Sequence, residues 1–208
     1  MENTSRGLRA IKRVLDVALA GVALVPAAIV LAVCAPAIRR SLGKGVIFRQ
    51  ERAGQHGEPI EVLKLRTMTD ERDTNGDLLP DGHRLTRVGS LLRKTSLDEV
   101  PQLWNVLRGD MSLVGPRPLP MAYVARYSDE QRRRLDVKPG LTGWAQVRGR
   151  NALTWPDKLA LDVWYVDNAS LLVDLKIMLM TLKTVLTRGG VSAEGHATMP
   201  EFMGELDA

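Results

Sequence analysis

Nearly every residue from Val14 to Ile38 is apolar, with Asp16 near the start of the run and Pro26 and Pro36 inside it. As one helix the run would extend roughly 37 Å, enough to cross a bilayer core of about 30 Å. It is longer than the apolar region of an ordinary signal peptide. Arg6, Arg9, Lys12 and Arg13 precede it, and Arg39, Arg40 and Lys44 follow it. Cationic flanks favour the cytoplasmic side, so two readings stand: a plain crossing, or a re-entrant hairpin that bends where Pro26 removes a helical hydrogen bond.

Further along, Val46–Gln50 and Ile60–Leu65 alternate as two short strands around a turn holding Gly54, Gly57 and Pro59. Residues 69–82 are acidic and rich in turn formers, the pattern of a mobile surface loop. Thr95 or Ser96 is placed to N-cap a helix with Asp98 and Glu99 in its first turn and Pro101 near its start. A helix with a basic end is expected over 119–134, then a glycine-rich loop over 137–151 holding Trp144 and Gln146. Trp155-Pro156-Asp157 opens another helix. Over 170–188, Leu172, Leu175, Leu179, Leu182 and Leu186 recur at helical spacing before Gly189-Gly190. Such a leucine face fits either the core or, with Lys176, Lys183 and Arg188 beside it, a helix lying in a lipid interface.

A net charge of +5 and a pI of about 9.6 direct attention to anionic partners: nucleic acid, an acidic membrane surface or phosphorylated substrates. With two Phe, three Tyr and four Trp and no aromatic-interleaved basic repeat, stacking on single-stranded nucleic acid is disfavoured. Cys34 is the single cysteine, so no internal disulfide forms. Asp73, Asn75 and Asp77 imitate a calcium loop but fail it. Gly76 precedes the last acid, and Arg84 stands where the distal glutamate belongs. His56, His83 and His196 read as solvated loop or tail residues rather than ligands.

The stretch Leu91–Pro118, LLRKTSLDEVPQLWNVLRGDMSLVGPRP, combines the adjacent carboxylates Asp98 and Glu99 with Arg93, Lys94, Arg108 and Arg117. Taken alone, an acidic first helical turn complements the helix dipole. Together with the cations, the pair also suits a site for phosphate and a divalent ion, with hard oxygen ligands beside bidentate arginines. Pro116 and Pro118 brace Arg117 on both sides. Lys64 and Arg66 fall on one face of the second strand, either as a landing place for diphosphate or as a basic edge that resists aggregation.

TSLDEVPQLWNVLRGDMSLVGPRP closely resembles the signature of the bacterial sugar transferases, the monotopic phosphoglycosyl transferases. The resemblance extends to Lys12, Arg13 and Asp16 at the start of the apolar run, to Lys64-Leu65-Arg66-Thr67-Met68, and to the loop ending in Arg148 and Arg150. Two departures stand out: Val25-Pro26 where many relatives carry Ser-Pro, and Arg148 where Asn is usual. The resemblance implies transfer of a sugar 1-phosphate from a UDP-sugar to polyprenol (undecaprenyl) phosphate, releasing UMP. It further implies Mg²⁺, a covalent phosphosugar intermediate on Asp98, and a first membrane step of glycoconjugate assembly.

In that scheme Asp98 is nucleophile and metal ligand, Glu99 positions the metal or takes a proton, and Lys64, Arg66, Arg93, Arg117 and Arg150 bind substrate. Pro26 marks the break of a re-entrant membrane hairpin. The expected fold class is α+β, mainly helical: membrane hairpin 1–40, catalytic domain 41–190 with a small β-hairpin and interfacial amphipathic helices, and a weakly ordered tail 191–208. Expected partners are UDP-sugar, polyprenol phosphate and membrane lipid, with no nucleic acid, at the cytoplasmic face of a bacterial inner membrane, as a monomer or homodimer. The competing readings are a one-step polyprenyl phosphate transferase without a covalent adduct, and a non-enzymatic membrane-anchored module binding acidic lipid or nucleic acid.

Overall fold

The computed structural model describes residues 2–43, 45–149, 153–187 and 201–204. The chain opens with α1, Glu2–Leu42, a single helix that contains both Pro26 and Pro36. The break expected at Pro26 does not divide it into two helices. A strip of α1 faces the rest of the protein: Asp16, Ala20, Ala27 and Ile38 are all buried, and their spacings of 4, 7 and 11 residues return to nearly one azimuth. Small alanines at two of these positions let the helix approach closely. Most other faces are bare, with Val14, Val22, Val25, Ile29 and Val33 exposed.

The residues expected to begin a membrane hairpin anchor the start of α1 to the domain. Lys12 Nζ donates to Asp174 at 2.6 Å, and Asp16 accepts from the Ser112 hydroxyl at 2.7 Å and from the Leu113 amide at 3.1 Å. Arg13 donates to the carbonyls of Val106 and Leu107 at 2.5 and 2.8 Å. Those carbonyls lie in the last turn of a helix described below, where a cation complements the unpaired backbone oxygens.

The expected hairpin is present and longer than its alternation indicated: β1, Ile47–Ala53, pairs antiparallel with β2, Pro59–Leu65. A short helix α2, Asp81–Arg84, leads to α3, Arg87–Lys94, whose N-cap Thr86 accepts from the Gly89 amide at 2.9 Å. Residues Leu97–Glu99 form a 3-10 turn, and α4 covers Gln102–Arg108. β3, Ser112–Val114, later pairs in parallel with β4, Gly140–Thr142. The helix expected over 119–134 is broken into a 3-10 segment, Met121–Arg126, the short α5, Asp129–Arg132, and a final 3-10 turn. Pro120 and the Ser128 capping box account for the breaks. Three helices complete the described chain: α6 Trp144–Arg148, α7 Trp155–Asn168 and α8 Leu171–Thr187. The Gly189-Gly190 stop expected after α8 lies outside the described residues.

The architecture is therefore mainly helical with two small two-stranded sheets and one long apolar N-terminal helix. Its core is distributed. Ala20 and Ala27 pack with Val62, Leu103, Val106 and Met111, whereas Ile38 packs with Leu65 and Leu92. Ile177, Tyr165, Trp144 and Val114 join α8 to the β3–β4 pair. That pair forms only because Gly115 and Gly140 approach closely: a Cβ on Gly115 would stand 2.4 Å from the Lys138 carbonyl oxygen, and one on Gly140 would stand 2.1 Å from the Gly115 nitrogen. The two glycines thereby fix the loop that carries Arg117.

Candidate active site

Asp98 and Glu99 lie not in the first turn of a helix but in the 3-10 turn between α3 and α4. Thr95 and Ser96 do not cap it. The Thr95 hydroxyl turns back to the Leu91 and Leu92 carbonyls at 2.9 and 3.1 Å. Ser96 takes a left-handed conformation, φ 57°, as the residue that ends a helix often does. This reversal carries the next residues inward, and Asp98 ends 8% exposed.

Opposite the turn, buried Asn105 of α4 accepts from the Leu63 amide at 3.0 Å and donates to the Glu61 carbonyl at 2.7 Å. Its amide thus takes the place of a strand partner for β2 and fixes α4 against the hairpin. Lys64, next in the strand, then reaches Glu99 at 3.4 Å. From the far side Arg117 Nη2 donates to the same Glu99 oxygen at 2.5 Å.

These charges divide the two carboxylates. Burial pushes the Asp98 carboxyl up to about 6, with the neighbouring Glu99 charge adding to the rise and Lys64, Arg93 and Arg117 opposing it. Burial would also raise Glu99, yet Arg117 and Lys64 outweigh it and hold that carboxyl down at about 2. Lys64 is itself lowered, chiefly by burial, and Arg117 is raised, chiefly by Glu99. Glu99 is therefore a fixed anion bound to two cations. Among the described residues no hydrogen bond occupies the Asp98 carboxylate, so its oxygens remain available to a ligand.

Of the other expected substrate contacts, Arg93 donates to the Thr67 hydroxyl at 3.1 Å and stays within electrostatic reach of Asp98. Arg66 is drawn aside to Asp70 at 2.8 Å, although its buried Nε has no partner. Arg150 lies outside the described residues, as does His196. His56 and His83 are exposed, as expected.

A profile of the bacterial sugar transferase family matches residues 7–188, which includes every element that carries these charged groups. The chain belongs to that family. It is 50% identical over 197 residues to the uncharacterized sugar transferase EpsL of Bacillus subtilis, covering 95% of this chain and 98% of that one. To the UDP-glucose:undecaprenyl-phosphate glucose-1-phosphate transferase of Caulobacter vibrioides it is 44% identical over 191 residues, covering 85% of this chain and 70% of the relative. To the undecaprenyl-phosphate galactose phosphotransferase of Salmonella typhimurium it is 40% identical over 165 residues, covering 71% of this chain and 35% of the relative. The chain spans less than half the length of several curated relatives that it matches.

As a bacterial sugar transferase the chain is an enzyme, and the surroundings of Arg117 include groups that the motif did not indicate. Arg134 is 2% exposed and donates from Nε and Nη2 to Asp162 at 3.0 and 2.8 Å. Nη2 also donates to the Arg117 carbonyl at 2.6 Å, so a buried ion pair holds the backbone of the sugar transferase's central arginine. Arg52 lies close enough for Arg117 to help burial lower it to about 10. Lys158 is lowered by burial and then by Arg117. The one signal available in the sequence was the arginine run at 132–134 beside apolar residues.

Proposed function

We propose that this transferase moves a sugar 1-phosphate from a UDP-sugar to undecaprenyl phosphate through a phosphosugar ester of Asp98. An Asp98 oxygen attacks the sugar-proximal phosphorus, the bond from that phosphorus to the bridging oxygen breaks, and UMP leaves with the electron pair. A phosphate oxygen of the lipid acceptor then attacks the same phosphorus. The Asp98–phosphorus bond breaks, restoring the carboxylate and giving polyprenyl-diphosphate sugar. The observation that carries this reading is the separation of the two carboxylates. Asp98 is poorly solvated, makes no hydrogen bond among the described residues and, with its carboxyl at about 6, is ionised at neutral pH, while Glu99 is locked between Arg117 and Lys64. Desolvation activates a nucleophile, and prepositioned cations stabilise phosphoryl oxygens.

A carboxyl held at about 2 is a poor proton acceptor. Glu99 is better suited to aligning Arg117 and Lys64 than to general base work. Mg²⁺ ordinarily takes one or two protein carboxylates and completes its shell with water and substrate phosphates. The Asp98 carboxylate, which makes no hydrogen bond among the described residues, fits that use and would hold the ion, which when bound would supply positive charge to the donor diphosphate.

UMP release measured over a panel of UDP-sugars with Mg²⁺ tests the reaction. At least one donor should yield UMP in proportion to glycolipid, and release from none would remove the reading. The pH dependence follows from the same geometry. Because the raised Asp98 group must be ionised to attack, kcat/KM should climb about tenfold per pH unit below 6 and level off above it. Glu99 titrates far below that range and contributes no second limb. A flat profile between pH 5 and 7 would contradict the assignment.

We also propose that α1 enters the membrane from the cytoplasmic face and returns to it, bending at Pro26. By length and composition, residues 7–42 are apolar enough to cross a bilayer. Yet Lys12, Arg13 and Asp16 at one end and Ile38 at the other rest on the same domain. Contacts of both ends with one domain support a return to the same side. Labelling of Asn3→Cys and Ser41→Cys in a Cys34→Ser background should place both on the cytoplasmic side. Labelling from opposite sides would establish a crossing.

A further inference from the structure

Residues 201–204 pack against an aromatic cluster behind the Arg134–Asp162 pair, where Phe202 is 1% exposed. Its ring is surrounded by three others, with centroids 5.6 Å from Tyr123, 5.8 Å from Tyr127 and 5.5 Å from Trp155. Arg126 grips the segment from outside: it donates to Glu201 at 2.7 Å and to the Phe202 carbonyl, while its guanidinium covers Tyr123 at 5.5 Å. Gly204 beside Arg126 takes a left-handed conformation, φ +84°, that suits glycine. The aromatic cluster is continuous with the active site. The Tyr127 hydroxyl accepts from Arg134 Nη1 at 3.2 Å, Arg134 holds the Arg117 carbonyl, and Arg117 holds Glu99.

We infer that Glu201–Gly204 is a strap that positions Arg117 for the donor diphosphate, with Phe202 as its plug and Arg126 as its clasp. The inference deepens the transferase reading and rests on it for the identity of the ligand. An aromatic plug buried to this extent leaves Tyr127 one place to stand. Tyr127 in turn restricts the guanidinium of Arg134, which has discrete arrangements rather than a continuum because its other donors are committed to Asp162. Phe202 touches no reacting atom, so it is a positioning residue. Nothing in its sequence context reveals this, because Phe202 and Arg117 are far apart along the chain.

The test compares Phe202→Ala, Phe202→Leu and Arg126→Gln in the full-length protein. UDP is the probe, and titration calorimetry is paired with nitrogen-15 NMR of the arginine Nε–H groups. Phe202→Ala should shift the Arg117 and Arg134 signals and weaken UDP about tenfold. Phe202→Leu, which refills most of the space, should restore both, and Arg126→Gln should fall between. In turnover the donor KM should rise in Phe202→Ala while the acceptor KM stays at its wild-type value. Should Phe202→Ala not fold, Arg126→Gln decides by the same two readouts. Wild-type signals and wild-type UDP affinity in the deciding variant would overturn the strap, as would a Phe202→Leu protein as impaired as Phe202→Ala. The arginine signals report on the strap even if no UDP-sugar is turned over, so its failure is separable from failure of the transferase reading.

Discussion

Asp98→Asn should lower turnover by roughly 10⁴-fold or more if the proposed ester forms there, because the attacking side chain is lost while its shape is kept. The fold should survive. The Asp98 carboxyl is raised in the folded state, chiefly by burial, so between the unfolded value and about 6 the native protein binds more protons than the unfolded one. Over that window stability falls as pH rises, and above it the buried charge is a standing cost. Asparagine removes that charge, so at pH 8 the variant should melt no lower than the wild type. Inactivity without destabilisation, read by UMP release and thermal melting on the same sample, separates a nucleophile from a structural acid. Glu99→Gln differs in kind. It frees Arg117 and Lys64 from their shared anion and should cost about 10²–10³ in kcat, the scale of a lost transition-state contact.

Asp162→Ala should destabilise the protein by about 3–5 kcal/mol, the usual consequence of stripping one partner from a fully buried ion pair. Arg134 and Asp162 side chains are 1% and 5% exposed, so water cannot take over for the missing carboxylate. Arg134→Met with Asp162→Leu, which removes both charges, should recover most of that loss. Activity should not recover with stability, because the double variant still lacks the donor to the Arg117 carbonyl. A double variant with wild-type kcat/KM would show that the pair serves folding alone. Denaturant unfolding and steady-state kinetics on the three proteins check both halves.

The legible part of the site was the part written contiguously. Asp98, Glu99, Arg93 and Arg117 fall within one stretch of sequence, and the structure brings Lys64 to Glu99 as strand alternation allowed. The β-hairpin, α7 and α8 followed from periodicity and turn residues in the same way. What escaped was set by tertiary contacts. Arg134 and Asp162 are separated by 28 positions, and nothing local links the basic end expected at 134 to the helix opened at Trp155. The contacts of Lys12, Arg13 and Asp16 were not legible either, because their partners Asp174, Val106, Leu107 and Ser112 lie about 90 to 160 positions away. At Ser96 the capping expectation gave way to a left-handed residue, since a helix end and a helix start compete within a few residues there.

Whether the donor's phosphorus passes through a protein ester is decided by rapid quenching with a competent UDP-sugar and Mg²⁺ and no lipid acceptor, followed by mass spectrometry of the peptide containing Asp98. That peptide should gain the mass of one sugar phosphate, localised to Asp98, and lose it when undecaprenyl phosphate is added. An unmodified Asp98 at every time point, in an enzyme that goes on to make glycolipid at its normal rate, would contradict the mechanism.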